Sequence, residues 1–176
     1  MGSKQRPHAP PEITLRAARP ADFDFALALY LESTKPLLLA LGHWNEDRVR
    51  TRFAQDFKPR RARVIHNAGL DIGWIQVSET AESYHLDQLH IVDGHRNQGI
   101  GTRLIQALLN RARRDGKSVS LNVIRGNPAM YLYERLGFQF VGEEEDKLRM
   151  RWQSSRAPKP IKGRTRTSHM TRTKKR

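Results

Sequence analysis

The chain has 176 residues, 38% of them apolar, and a formal net charge of +14, a size and apolar content that suit one domain around one continuous core. It has no cysteine, which excludes disulfide frameworks, thiolate metal sites, cysteine nucleophiles and thiol redox switches. Its N-terminus lacks the apolar run of a secretory signal, and no stretch of about 18 apolar residues could span a bilayer, so the sequence reads as a soluble, cytoplasmic protein with no membrane contact.

Residues 1–12 contain Pro7, Pro10 and Pro11 and are expected to form a flexible segment. Ile13 to Ala17 reads as a first strand. Asp22 is a candidate N-cap for a helix running toward Ser33, with Phe25, Ala28 and Leu29 at helical spacing. A second helix is predicted from Asn45 to Phe57, with Val49 and Phe53 four apart on one face. Strands at 63–66 and 72–77 flank Asn67-Ala68-Gly69, which has the composition of a hairpin turn, and a third strand is expected over 85–92. From Gly99 to Asp115, Ile100, Leu104, Leu108 and Ala112 recur every fourth position as one helical face, and Gly116 suits the helix end. Ser118 to Ile124 reads as a strand, 128–136 as a short helix with Pro128 in its first turn, and 138–142 with 148–152 as a closing pair. This alternation predicts one α/β domain over 13–152. Residues 153–176 hold nine Lys or Arg and no acid, leaving twenty-three bases against eighteen acids, a net of +5, for 1–152. With little apolar surface to bury, 153–176 is expected to be a disordered basic tail, serving either nonspecific contact with nucleic acid or ribosome phosphates, or solubility alone.

The chemically informative segment is Arg96-Asn97-Gln98-Gly99-Ile100-Gly101, between a predicted strand and a predicted helix. Small residues there leave main-chain N–H groups uncovered at a helix N-terminus, a site for phosphate or pyrophosphate. Gly94 and Gly99 have the spacing of a P-loop, but Ile100-Gly101 stands where Lys and then Ser or Thr belong. Gly99 and Gly101 begin a dinucleotide fingerprint that Leu104 then breaks.

The run from Leu89 to Gly101 resembles the central motif of GNAT acetyltransferases, in which a splayed strand enters an (Arg/Gln)-x-x-Gly-x-(Gly/Ala) loop and a long helix. Asn127 to Phe138, ending Tyr133-Glu134-Arg135-Leu136-Gly137-Phe138, resembles the family's second motif. The resemblance covers residues 13–152. It implies a mixed, mostly antiparallel sheet of six or seven strands, flanked by helices, with a splay between the two central strands. It also implies acetyl-CoA as co-substrate. No metal is expected from the residues themselves, because His66, His85, His90 and His95 come without an His-x-x-x-His helix or a carboxylate cluster. Arg96, Asn97, Gln98, Gly99, Ile100, Gly101 and Thr102 would hold the pyrophosphate, Leu89, His90 and Ile91 would pair with the pantetheine arm, and a main-chain N–H near Ile91 would polarise the thioester carbonyl. Tyr133 would protonate the departing thiolate, and Asn127 would bind the cofactor, cap the next helix, or both.

An acceptor ammonium has a pKa of about 10.4 and must lose a proton before it can attack. Some family members that act on protein N-termini carry Glu in a Leu-Glu-Val segment, where this chain has Leu121-Asn122-Val123, and Asn122 cannot act as a base. Asp87 is the base candidate, with His85 and His90 as rivals. An acceptor pocket is expected around Tyr30, Lys35, residues 37–41, His43 and Trp44, a segment that core packing or a homodimer contact would equally use. The expected activity is acetyl transfer to a primary amine by direct attack in a ternary complex, with a small or amino-acid-like acceptor. The alternatives are a protein lysine or N-terminus reached through the basic tail, and a non-catalytic module that binds coenzyme A or nucleic acid.

Overall fold

A computed structural model describes residues 13–154. The 1–12 segment and all but the first two residues of the basic tail lie outside the described residues. The elements in chain order are β1 (Ile13–Ala17), α1 (Phe23–Ala40), α2 (Glu46–Asp56), β2 (Ala62–Asn67), β3 (Leu70–Glu79), β4 (Ser83–Ile91), α3 (Ile100–Asp115), β5 (Ser118–Ile124), α4 (Ala129–Arg135), β6 (Gln139–Glu144) and β7 (Lys147–Trp152). The strands form one open seven-stranded sheet in the order β1-β2-β3-β4-β5-β7-β6, and every pairing is antiparallel except β4 with β5. That is the mixed, mostly antiparallel α/β sheet the sequence led us to expect.

Apolar residues at alternate strand positions give the sheet two buried faces. On one, Leu86, Val119, Leu121 and Val123 pack with Ile105, Leu109 and Ala112 of α3 and Tyr133 of α4. On the other, Trp74 and Ala62 pack with Ala26 and Leu29 of α1 and Phe53 of α2. Phe53, Phe57 and Trp74 form an aromatic knot with ring centroids 5.4–5.8 Å apart. The two-residue hairpin loop between β2 and β3, Ala68-Gly69, has positive φ at both positions (47° and 85°), the geometry that matches strand twist.

Three local expectations change. The first helix does not stop near Ser33 but runs to Ala40 through Pro36. Ser33 keeps its hydroxyl against the helix, 2.8 Å from the Leu29 carbonyl oxygen, and Pro36 removes a single backbone donor. Asp22 makes no side-chain cap for α1; its carboxylate accepts from the Arg19 N–H at 2.7 Å and pairs with Arg16 at 2.7 Å. Arg16 also holds Asp71 at 2.6 Å, tying β1 to β3 and keeping both carboxyls below the usual carboxylate range. On α3 the buried stripe is Ile100, Ile105, Leu108, Leu109 and Ala112, with Leu104 only partly buried. A strict four-residue spacing drifts by about 40° per step on a helix of 3.6 residues per turn, so the buried stripe must shift across the row.

Gly73 of β3 pairs with Ile91 of β4, where a Cβ would lie 2.3 Å from the carbonyl oxygen of His90. Because that oxygen is backbone, relief requires displacing β4 itself. Gly73→Ala should therefore lower unfolding stability by about 1–3 kcal/mol in urea titration. Gly94→Ala, whose Cβ would meet nothing within 4 Å, should stay close to wild type. Equal midpoints for the two variants would contradict this reading.

Candidate active site

Strands β4 and β5 pair from Ser83 with Ser118 to Leu86 with Leu121, and there their pairing ends. The cause is a bulge on β4: Leu86 pairs with Val77 and Gln88 with Gln76, so Asp87 is an extra residue. A bulge bends its strand, and β4 follows β3 to Ile91 while β5 follows β7 to Ile124. The gap between them leaves the edge of β4 at Leu89, His90 and Ile91 without a strand partner on the β5 side.

Beyond the bulge the side chains divide between the two faces. Leu89 and Ile91 point toward α3, each 3.9 Å from a Cβ built on Gly101. His90 points the other way, stacked on Trp74 with centroids 5.2 Å apart and edge-on to Tyr30 at 5.6 Å. Its Nδ1 lies 2.7 Å from Ser33 Oγ and its Nε2 2.8 Å from Gln88 Oε1. Burial, followed by the nearby charge of Arg96, pushes His90 down to about 3, so the ring is a neutral structural link between α1 and β4.

After Ile91 the chain makes one 3-10 turn over Asp93–His95 and enters the glycine loop. Arg96 is spent on shaping that loop: Nε donates to the Ile91 carbonyl at 2.8 Å, and the guanidinium pairs with Asp93 at 3.1 Å and Glu32 of α1 at 3.2 Å. Gln98 donates to the Gly94 carbonyl at 2.9 Å. Asn97 and Gly99 take left-handed backbone, φ 59° and 76°. The first backbone bond of α3 runs from Arg103 N to Gly99 O, and among the described residues no main-chain N–H from Asn97 to Thr102 finds an acceptor. Nothing lies within 4 Å of a Cβ built on Gly99, so the approach is open. Free amides and the positive end of a 16-residue helix together suit a pyrophosphate.

The second motif meets the first in space. Leu132 of α4 comes within 3.6 Å of the Cβ position of Gly101, setting α4 against the first turn of α3. Tyr133, buried edge-on against Phe138 at 5.8 Å, has its phenol pushed up to about 12 by burial, and its hydroxyl has no hydrogen-bond partner among the described residues. Asn127 uses Oδ1 to accept from the Ala129 N–H at 2.9 Å, which caps α4 and leaves its amide nitrogen unengaged.

On the opposite face a cavity of about 510 Å³ opens between α1, α2, the end of β5 and the β6–β7 turn, lined among others by Tyr30, Thr34, His43, Arg48, Arg52 and Lys147. His43 spans it, its Nδ1 lying 2.7 and 2.8 Å from the two carboxylate oxygens of Asp146. Of the acceptor segment expected from sequence, Tyr30, Leu38 and His43 line this cavity, whereas Lys35 sits over the ring of Trp44 at 5.5 Å and neither belongs to the lining. Sequence reading missed Arg48 and Arg52, though their spacing of four on α2 was an available signal, and missed the 145–147 turn, which gave none. Asp87 lines neither this cavity nor the next one; its carboxylate accepts from Ser78 Oγ at 2.5 Å and from Gln76 Nε2 at 3.4 Å. His85 bonds Ser120 Oγ at 2.8 Å and faces a second cavity of about 500 Å³ along β5 and β7, with burial holding its ring below the usual histidine range. Among the described residues no group of three or more His, Asp or Glu could hold a metal ion, and no helix is long and apolar enough to cross a membrane.

Comparisons with known proteins fit this geometry. Residues 43–154 match the family model described as an acetyltransferase (GNAT) domain. No curated protein matches the chain. Among solved structures, the PaiA N-acetyltransferase of Thermoplasma acidophilum, in complex with coenzyme A, superposes with a TM-score of 0.65 at 16% identity, over 81% of this chain and 99% of that one. The ribosomal-protein alanine N-acetyltransferase of Escherichia coli gives 0.62 at 17% identity, over 85% and 99%. A putative phosphinothricin N-acetyltransferase gives 0.58 at 21% identity, over 82% and 100%.

The neutral His90 has a consequence for stability. Its folded pKa lies below the ordinary value of about 6.5, so the unfolded chain takes up a proton that the native state refuses. The contribution is complete above about pH 6.5 and is lost as pH falls toward 3, and His85 acts in the same direction. Urea midpoints should drop between pH 7 and pH 4, with a shallower drop in His90→Asn than in wild type. Parallel pH profiles for the two proteins would place the proton elsewhere.

Proposed function

This chain belongs to the GNAT acetyltransferase family, and we propose that it moves the acetyl group of acetyl-CoA onto a small, amino-acid-like primary amine by direct attack in a ternary complex. The observation that carries this reading is the run of unsatisfied amides from Asn97 to Thr102 beside a gap between β4 and β5. Acetyl-CoA supplies an activated thioester carbonyl. The amides of 97–102 bind its pyrophosphate, Arg96 holds the loop in place through Glu32 and Asp93, and the unpaired edge of β4 at Leu89, His90 and Ile91 offers main-chain groups to the pantetheine arm. A main-chain N–H at Ile91 polarises the carbonyl without needing a charged side chain. Asn127 contributes its unengaged amide nitrogen.

Tyr133 holds the proton that leaves with sulfur, since a phenol pushed up to about 12 stays protonated throughout the neutral range. Removing a proton from the amine falls to a group on the other face. Asp87 is occupied by Ser78 and Gln76, and both ring nitrogens of His90 are engaged. His43 lines the acceptor cavity, and Asp146 at Nδ1 orients its ring so that Nε2 is left to accept the proton, directly or through one water. A cavity of about 510 Å³ suits a small acceptor.

A protein lysine or N-terminus is the second reading. It is favoured by the way Ser118, Ser120 and Asn122 of the second cavity and Ile124 of the first share one face of β5, a strip of about 20 Å that an extended chain could follow. Thiol release from acetyl-CoA across small amines and short peptides separates the two readings. Small amines should turn over. Tyr133→Phe should lower kcat by roughly 10²–10⁴-fold while calorimetric affinity for coenzyme A stays at the wild-type value. No turnover with any amine or peptide, or full turnover by Tyr133→Phe, would remove the assignment.

A further inference from the structure

The acceptor cavity has a surplus of positive charge. Arg48 and Arg52, four residues apart on α2, line one wall, and Lys147 at the start of β7 lines another. Among the described residues the guanidinium of Arg48 and the ammonium of Lys147 make no ion pair or hydrogen bond. Arg52 has only Asp56, at 3.7 Å, with both side chains more than half exposed, a pair that contributes little. Of the two acids in the lining, Asp146 is held by His43, while Glu145 stands exposed in the β6–β7 turn.

The surroundings of Lys147 show that the protein's own carboxylates do not make up the difference. Burial first, and Arg52 second, keep its ammonium below the usual lysine range against the opposing pull of Asp56, Glu145 and Glu144. A partly buried ammonium with no partner among the described residues and two exposed guanidiniums, one of them weakly paired, line one cavity and suit an anion from outside the chain. That charge does not come from the phosphates of acetyl-CoA. The amides of 97–102 open beside Leu89 and Ile91 on the α3 face of the sheet, whereas this cavity is bounded by Tyr30, which packs on His90 and Phe53 on the α1 and α2 face.

We propose that the acceptor is a primary amine bearing an anionic oxygen group, a carboxylate or a phosphate, that docks on Arg48, Arg52 and Lys147. This rests on the acetyl transfer proposed above and adds the chemical class of acceptor. The anion is the handle that turns the amine toward the gap between β4 and β5, where His43 takes one proton from the ammonium, the freed nitrogen bonds the acetyl carbon, the carbon–sulfur bond breaks as Tyr133 gives its proton to sulfur, and the nitrogen passes its second proton to the Tyr133 phenolate, leaving the amide and the thiol.

Matched acceptors test it. Thiol release is measured with an α-amino acid against its carboxamide, and with a phosphorylated amino alcohol against the free amino alcohol. At least one anionic member should exceed its neutral partner in kcat/KM by about tenfold or more, the worth of one charge-assisted hydrogen bond, and the pair with the larger ratio identifies carboxylate or phosphate. The double variant Arg48→Gln with Arg52→Gln, and separately Lys147→Met, should raise KM for the anionic acceptor by about tenfold or more and move that of the neutral analogue by less than about twofold. Unchanged affinity for coenzyme A certifies that each variant is folded. Equal use of both members of each pair, or variants that weaken both members alike, would overturn the proposal. Should no amine turn over at all, the transferase reading itself fails. Calorimetry of the same amino acid and phosphorylated amine with the coenzyme A-loaded protein then decides separately, because binding to wild type that the variants lose supports the anion site, and absence of binding ends it.

Discussion

Everything in this molecule follows from two ladders that part company. Strand β4 is committed to β3 as far as Ile91, and β5 to β7 as far as Ile124, so the single parallel pairing at the centre of the sheet cannot outlast Leu86 and Leu121. The extra residue at Asp87 turns β4 out of line with β5, and Gly73 lets β3 follow it closely enough to keep the pairing on the other side. In an ordinary sheet the centre is the least accessible place for a ligand. Here the central pairing stops short, and the edge of β4 from Leu89 to Ile91 is left without a strand partner on the β5 side, between two faces that each have their own cover of helices.

The two faces use different electrostatics. On the α3 face the groups offered are neutral main-chain dipoles fixed by Asn97, Gly99 and the helix that follows, which suit an anion without adding formal charge. Arg96 is thereby free to act as a structural strap between the loop, the end of β4 and α1. On the α1 and α2 face whole charges line the cavity, with Arg48, Arg52 and Lys147 only partly answered by the carboxylates around them. Histidines divide in the same way: His90 is bonded at both nitrogens and packed against Trp74, while His43 keeps one nitrogen open to the cavity.

What could be seen in the sequence was what short stretches of chain determine. The glycine loop, its following helix and the Asn127 to Phe138 segment are local, because a left-handed turn and an uncapped helix start need only a few neighbouring residues. The sheet class was legible from alternation and turn chemistry for the same reason. What could not be seen depends on distant partners. Asp22 looks like a cap until Arg16 claims it, Asp87 looks free until Ser78 and Gln76 occupy it, and Ser33 looks like a helix stop until its hydroxyl returns to Leu29 and meets His90. The cavity beside α1 and α2 is the extreme case. His43 and Asp146 stand 103 residues apart, and only the folded sheet brings the end of α1 over the β6–β7 turn.

The separation of the two faces also arranges proton traffic for the proposed reaction. Tyr133 sits within the α3 and α4 core, where burial keeps its proton on, and His43 sits at a largely exposed rim, its side chain 61% accessible. A phenol pushed up to about 12 is a poor acid in the resting protein and becomes a useful one only when strong negative charge develops beside it, as it does on a departing thiolate. An imidazole at the solvent edge can return its proton to water after each turnover, without passing it through the sheet. In the proposed reaction acid and base stand on opposite faces of the sheet, so each proton transfer has its own surroundings, a buried one for the phenol and a solvent-exposed one for the imidazole.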